Sequence, residues 1–168
     1  MKIEKRITVA LFFVYLVLLT WIILFKFSFS FAELDNLRQI NLIPFRGSVV
    51  ANGKIDFDEI INNVIVFIPV GAYIRLLMPN KSLIQKICPI VGISFLYEAL
   101  QFMFAIGASD ITDLFSNTMG GIIGIAFIRL FSVIFREKTH KICNRVAVVC
   151  TIFIVLFLIL LLAVNHIL

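Results

Sequence analysis

Charge is scarce in this chain. Only 15% of its 168 residues are Asp, Glu, Lys or Arg, against roughly 25% in an ordinary soluble domain, too few to clothe a water-soluble fold. Histidine is nearly absent, with two residues. The three cysteines, Cys88, Cys143 and Cys150, follow no metal-binding spacing and read as reduced packing residues rather than a zinc site or a disulfide framework. No internal repeat or low-complexity tract is apparent, which argues against a complete carrier of the inverted-repeat kind unless the protein oligomerises.

What is present in abundance is apolar: 61% of the residues, with a mean hydropathy of +1.08. A membrane span needs about 20 mostly apolar residues, and five runs qualify, at 7–25, 59–78, 87–106, 110–135 and 146–167. The expected fold class is all-α: a small polytopic transmembrane helix bundle of about five spans, one membrane domain over 1–168. An N-terminal anchor span (7–25) would open it and a featureless span (146–167) would close it. "SFA" before Glu33 has the form of a processing site, but the long apolar run and Lys26 favour a retained span. Lys and Arg collect on cytoplasmic flanks. With the N-terminus inside, 11 of the 15 cations fall inside, leaving Lys26, Arg38, Arg46 and Lys54 outside; the N-terminus is therefore expected in the cytoplasm and the C-terminus outside. The basic balance is then a matter of topology, and no nucleic-acid partner is expected.

Polar residues inside the spans fall at one end. At about 100° per residue, Asp110, Asp113 and Asn117 share one stripe of the fourth span, continued by Gly121 and Gly124. Asp110 suits an N-cap. Gly120, Gly121 and Gly124 permit close approach of another helix, expected to be the third. On that helix Ser94, Glu98, Gln101 and Ala105 form a matching stripe. An ionisable Glu98 at this depth is a functional-site candidate by default; the competing reading is a protonated Glu98 bonded to Asn117 as interhelical glue. The second span adds Asn63, with Asp56 and Glu59 as a solvated first turn, and a kink at Pro69 near Gly71. Asn63, Glu98, Gln101, Asp113 and Asn117 are thus expected around one outward-opening cavity. "NLIPFRG" would cover it, with Arg46 placed to pair with these acids or with an anionic headgroup. Upstream, "FAELDNLRQINLI" has the pattern of a short interfacial helix.

Four stretches occur in the order and spacing of the VanZ-like family: "NLIPF" (41–45), "NVIVFIPVG" (63–71), "SFLYEALQ" (94–101) and "SDITDLFSNTMGGIIG" (109–124). The chain resembles that family over about 41–129. The resemblance implies a bacterial integral membrane protein of a group whose founding member is associated with teicoplanin resistance. It points to Asn41, Pro44, Phe45, Asn63, Phe67, Pro69, Gly71, Glu98, Gln101, Asp110, Asp113, Asn117 and Gly120 as characteristic positions. Two departures stand out: "AIGAS" replaces the Arg that members often carry before the first acid, and Glu59 stands where many have Asn.

Two functions compete. In the first, the cavity binds a lipid-linked cell-wall precursor or the acyl tail of a lipoglycopeptide, among membrane lipids. In the second, an intramembrane enzyme uses Glu98, Asp110 and Asp113 as acid–base or metal-binding groups. No cofactor is required by the first reading. For the second, an all-oxygen donor set would suit Mg²⁺ or Ca²⁺, although no metal motif is present. Oligomeric state is left open.

Overall fold

The structure is a computed structural model that describes residues 2–25, 37–45 and 57–167. Five helices carry the fold: α1 (Lys2–Phe25), α2 (Phe57–Leu77), α3 (Leu83–Phe104), α4 (Ile111–Phe135) and α5 (Thr139–Ile167). A 3₁₀ turn, Arg136–Lys138, separates α4 from α5. Two short strands, β1 (Leu37–Asn41) and β2 (Ile106–Asp110), pair in parallel, with Leu37 opposite Ile106 and Asn41 opposite Asp110.

The strand β1 corrects the expected interfacial helix over the part that is described; residues 31–36 lie outside the described residues. The ladder with β2 pairs one edge of its backbone, where an isolated helix of this length would be marginal. The ladder is possible because α3 stops at Ala105, which caps it in the left-handed conformation at φ 55° and turns the chain into β2. Ser82 starts α3 with a reciprocal pair of bonds: its hydroxyl accepts from the Gln85 N–H, and Gln85 Oε1 accepts from the Ser82 N–H.

Leu19, Phe67, Val70 and Ile90 are fully buried at the centre, and Phe67 meets Tyr97 edge to face at 6.5 Å between ring centroids. Elsewhere the helices present large apolar side chains outward, among them Phe13, Val17, Leu130, Val133 and Phe153. So much exposed hydrocarbon would aggregate in water, but it matches the solvent a bilayer provides.

The closest approach in the bundle is between α2 and α4, and this corrects the expectation that the glycines of α4 meet α3. An added Cβ at Gly120 would lie 2.1 Å from the Val64 carbonyl oxygen, and one at Gly124 would lie 2.0 Å from that of Ile68. A Cβ at Gly71 would meet the Gly121 carbonyl oxygen at 1.9 Å. The reason is that α2 has its own glycine where the two backbones cross, so small residues face each other from both helices. From α3, the Ile90 side chain meets the stripe at Gly121, where an added Cβ would lie 2.6 Å from its Cγ2.

Helix α1 is more than the expected anchor. The Tyr15 hydroxyl donates to the Val66 carbonyl at 2.6 Å, beside the turn where Pro69 removes a helical donor. At the opposite end, α1 holds the start of α5: the Thr8 hydroxyl bonds Asn144 Oδ1 at 2.9 Å, and Asn144 Nδ2 donates to the Glu4 carbonyl at 2.9 Å.

Candidate functional site

The end of the bundle where α3 finishes and α4 begins holds the polar residues. Glu98 and Asn117 each lie six residues inside their helix ends, Phe104 and Ile111, roughly 9 Å along each axis, so the antiparallel helices bring them to one depth. A cavity of about 200 Å³ opens there, lined by Glu59, Asn62, Asn63 and Val66 of α2, Glu98 and Gln101 of α3, Asp113 and Asn117 of α4, and Ile22 and Ile23 of α1. The five residues expected to converge do so. Ile22, Ile23, Glu59, Asn62 and Val66 were not foreseen as lining; the three apolar ones lie in runs without a distinguishing pattern, Glu59 borders the cavity where a merely solvated first turn was expected, and the Asn62–Asn63 pair inside a span was a usable signal.

The hydrogen bonds differ from the simplest expectation. Asn63 Nδ2 donates to Asp113 Oδ1 at 2.7 Å, joining α2 to α4. Asn117 Nδ2 donates to Ser94 Oγ at 2.9 Å, joining α4 to α3, so Asn117 is not the partner of Glu98. Instead Glu98 Oε2 accepts from the Asp110 N–H at 3.0 Å, and the Ser109 hydroxyl donates to the Glu98 carbonyl at 2.6 Å. Glu98 therefore fixes the turn from β2 into α4. Asp110 N-caps α4 as expected: its Oδ1 accepts from the Thr112 N–H at 2.7 Å.

The segment "NLIPF" was expected to cover the cavity, but it lies against the start of α4, and neither Asn41 nor any other residue of 41–45 is among the cavity lining. Asn41 Nδ2 donates to Asp110 Oδ2 at 2.8 Å, and the Phe45 N–H donates to Thr112 Oγ1 at 2.8 Å. Phe45 sits at φ 63°, a conformation unusual for a bulky residue, and follows the exposed Pro44 in a turn. Thr112 went unassigned in the sequence, although it lies between two acids that were assigned. Replacing it with valine removes the acceptor for the Phe45 N–H, so Thr112→Val is expected to cost about 1 kcal/mol and to speed amide exchange over 41–45. Unchanged exchange there would show that the bond does not hold the segment. Arg46 and Asp56 lie outside the described residues.

Among the described residues, two buried acceptors remain without a donor: Gln101 Oε1 and Asn117 Oδ1. Their amide nitrogens are committed, Gln101 Nε2 to the Ile23 carbonyl at 3.3 Å and Asn117 Nδ2 to Ser94, and the two oxygens are themselves buried. A buried acceptor left unpaired costs about 1–3 kcal/mol, which a ligand bearing hydroxyl or amine donors would recover. The described lining contains no Ser, Thr, Cys, His or Lys. Among the described residues, no three His, Cys, Asp or Glu side chains come together as metal ligands. The arrangement suits recognition of a donor-bearing group.

Stretches Ile3–Leu24, Phe57–Leu77, Leu83–Phe104 and Ile111–Phe157 are long and apolar enough to cross a membrane. With polar side chains from three of these stretches turned to a shared interior, the fold defines a multi-pass membrane protein with a small polar cavity between its helices. The chain belongs to the VanZ family: the family profile described as VanZ/LLP1 matches residues 12–136. Protein VanZ of Enterococcus faecium is 35% identical over 146 residues, which is 86% of this chain and 85% of that protein. No solved structure matches the chain.

Proposed function

We propose that this protein contributes to glycopeptide tolerance in a bacterial membrane, by engaging a lipid-linked envelope component or the acyl tail of a lipoglycopeptide in the polar cavity. The observation that carries this reading is the cavity lined by Asn63, Glu98, Gln101, Asp113 and Asn117, with two buried carbonyl oxygens lacking donors. Similarity to Protein VanZ over most of both chains supports it.

In this reading α4 and α5 are separate spans, five in all, with the N-terminus in the cytoplasm and the cavity facing outward. As one straight helix, the 47 residues of Ile111–Phe157 would be roughly 70 Å long, more than twice a hydrocarbon core of about 30 Å. The break at Arg136, at φ 46°, and the bonds of Asn144 to α1 support a reversal there. The excess of Lys and Arg at the opposite end from the cavity supports the orientation.

The test is the susceptibility of a Gram-positive host to teicoplanin and vancomycin, with and without the protein. Selective tolerance of the tail-bearing drug is expected, and its loss in Asp113→Asn, which weakens an acceptor that ties α4 to Asn63. Equal protection against both drugs, or none, would count against the reading.

A further inference from the structure

The end of the bundle opposite the cavity gathers cations. The Pro79 carbonyl oxygen, just beyond α2, accepts from two helices at once: from Arg75 Nη1 of α2 at 2.8 Å and from Lys86 Nζ of α3 at 3.5 Å. The two groups are therefore no further apart than those lengths together. Lys86 Nζ also donates to the Lys81 carbonyl, and the residue is only 6% exposed. The charges that act on it are themselves cations, Arg75 and, from α4, Arg129. Among the described residues no carboxylate pairs with any of the three. Of the acids at this end, Glu4 accepts from Asn144, and Glu137 lies in the turn after α4.

The carbonyl oxygens satisfy N–H groups of Arg75 and Lys86 but leave their charge in place, and a lysine this covered is rarely without a paired charge. An anion is what the cluster lacks, and its position says which. Helix α2 ends at Leu77 and α3 begins at Leu83, so the cluster sits where two helices of membrane length leave the hydrocarbon. Basic pockets between spanning helices at that level hold anionic headgroups. Arg129 lies six residues inside the end of α4 at Phe135, roughly 9 Å along the axis, a depth from which a long arginine side chain extends to the interface. Leu83 and Leu130, close in sequence to Lys86 and Arg129, are exposed and give the chains of a lipid an apolar surface to lie on.

We propose that Arg75 and Arg129 hold the phosphate of one anionic phospholipid at the junction of α2, α3 and α4, with the covered charge of Lys86 behind them. Arg75 gives one guanidinium N–H to Pro79 and keeps the rest of its fork for the headgroup. The site is separate from the cavity, and neither reading depends on the other.

The test is native mass spectrometry of the full chain, purified in detergent and given phosphatidylglycerol or phosphatidylcholine of the same chain length. One phosphatidylglycerol is expected to bind about tenfold more tightly than phosphatidylcholine. Arg129→Gln, at an exposed position, is expected to bring phosphatidylglycerol down to the phosphatidylcholine level, and Arg75→Gln to do the same. Lys138→Gln removes an exposed cation at the same end but outside the cluster, and should change the affinity by less than about twofold at physiological ionic strength. Equal binding of the two lipids by the wild type would overturn the proposal, whether or not either arginine variant folds. So would a loss in Lys138→Gln as large as that in Arg129→Gln, because the preference would then belong to the basic surface as a whole. Inorganic phosphate in excess separates a lipid from a soluble anion: the lipid is expected to stay bound, and its displacement would assign the cluster to a free anion and sink the lipid site.

Discussion

A single methyl group at Gly124 is expected to cost this fold about 3 kcal/mol or more, at the upper end of what overpacking does. The added Cβ would sit 2.0 Å from the Ile68 carbonyl oxygen and 2.8 Å from the Ala72 nitrogen. Both obstacles are backbone, so no rotamer change relieves them, and α2 and α4 must separate along their length. Gly71→Ala is expected to act alike, because it meets the Gly121 backbone from the other helix. Gly92 supplies the control: a Cβ there meets nothing within 4 Å, so Gly92→Ala should be neutral or gain up to about 1 kcal/mol from helix propensity. Thermal unfolding of the three variants in one detergent tests this. If Gly124→Ala melts with the wild type, the close contact of α2 and α4 is wrong.

Glu98 is expected to divide two effects that are usually confounded. Glu98→Leu removes the acceptor for the Asp110 N–H, and a buried donor left unpaired costs about 1–3 kcal/mol. The damage should spread outward, since Asp110 also receives Asn41 and the Thr112 N–H. The segment 41–45 should then exchange faster and the melting temperature fall. Glu98→Gln keeps a carbonyl oxygen for Asp110 but places an NH₂ donor beside the cavity where the Glu98 carboxylate offers only acceptor oxygens. Gln is therefore expected to melt within about 0.5 kcal/mol of wild type while reducing teicoplanin tolerance to that of cells without the protein. Leu should lose both. A Gln variant that protects cells fully would remove Glu98 from the recognition site and leave it a structural bond at the start of α4.

The sequence announced the membrane and the polar helix faces because both signals are local. A scarcity of charge and apolar runs of span length follow from the solvent, and the 3.6-residue period fixes which side chains share a helix face. Thus Asn63, Glu98, Gln101, Asp113 and Asn117 could be chosen from their stripes, and Asp110 from its capping position. The VanZ-like motifs pointed the same way.

Which face meets which neighbour is a different kind of information. The period places Gly120, Gly121 and Gly124 on one stripe but does not say that Gly71 supplies the opposing surface, so α2 rather than α3 is their partner. It does not set the register that gives Asn117 to Ser94 and Glu98 to Asp110, since that depends on the vertical offset of two helices. The parallel pairing of β1 with β2 joins residues about 70 apart in the chain, a closure no local pattern encodes. Ile22 and Ile23 became cavity walls only because of what was packed beside them. By itself the sequence determined the solvent, the helices and the polar faces, through periodicity and transfer free energy; the tertiary structure decided the partners, through shape at the points of closest approach.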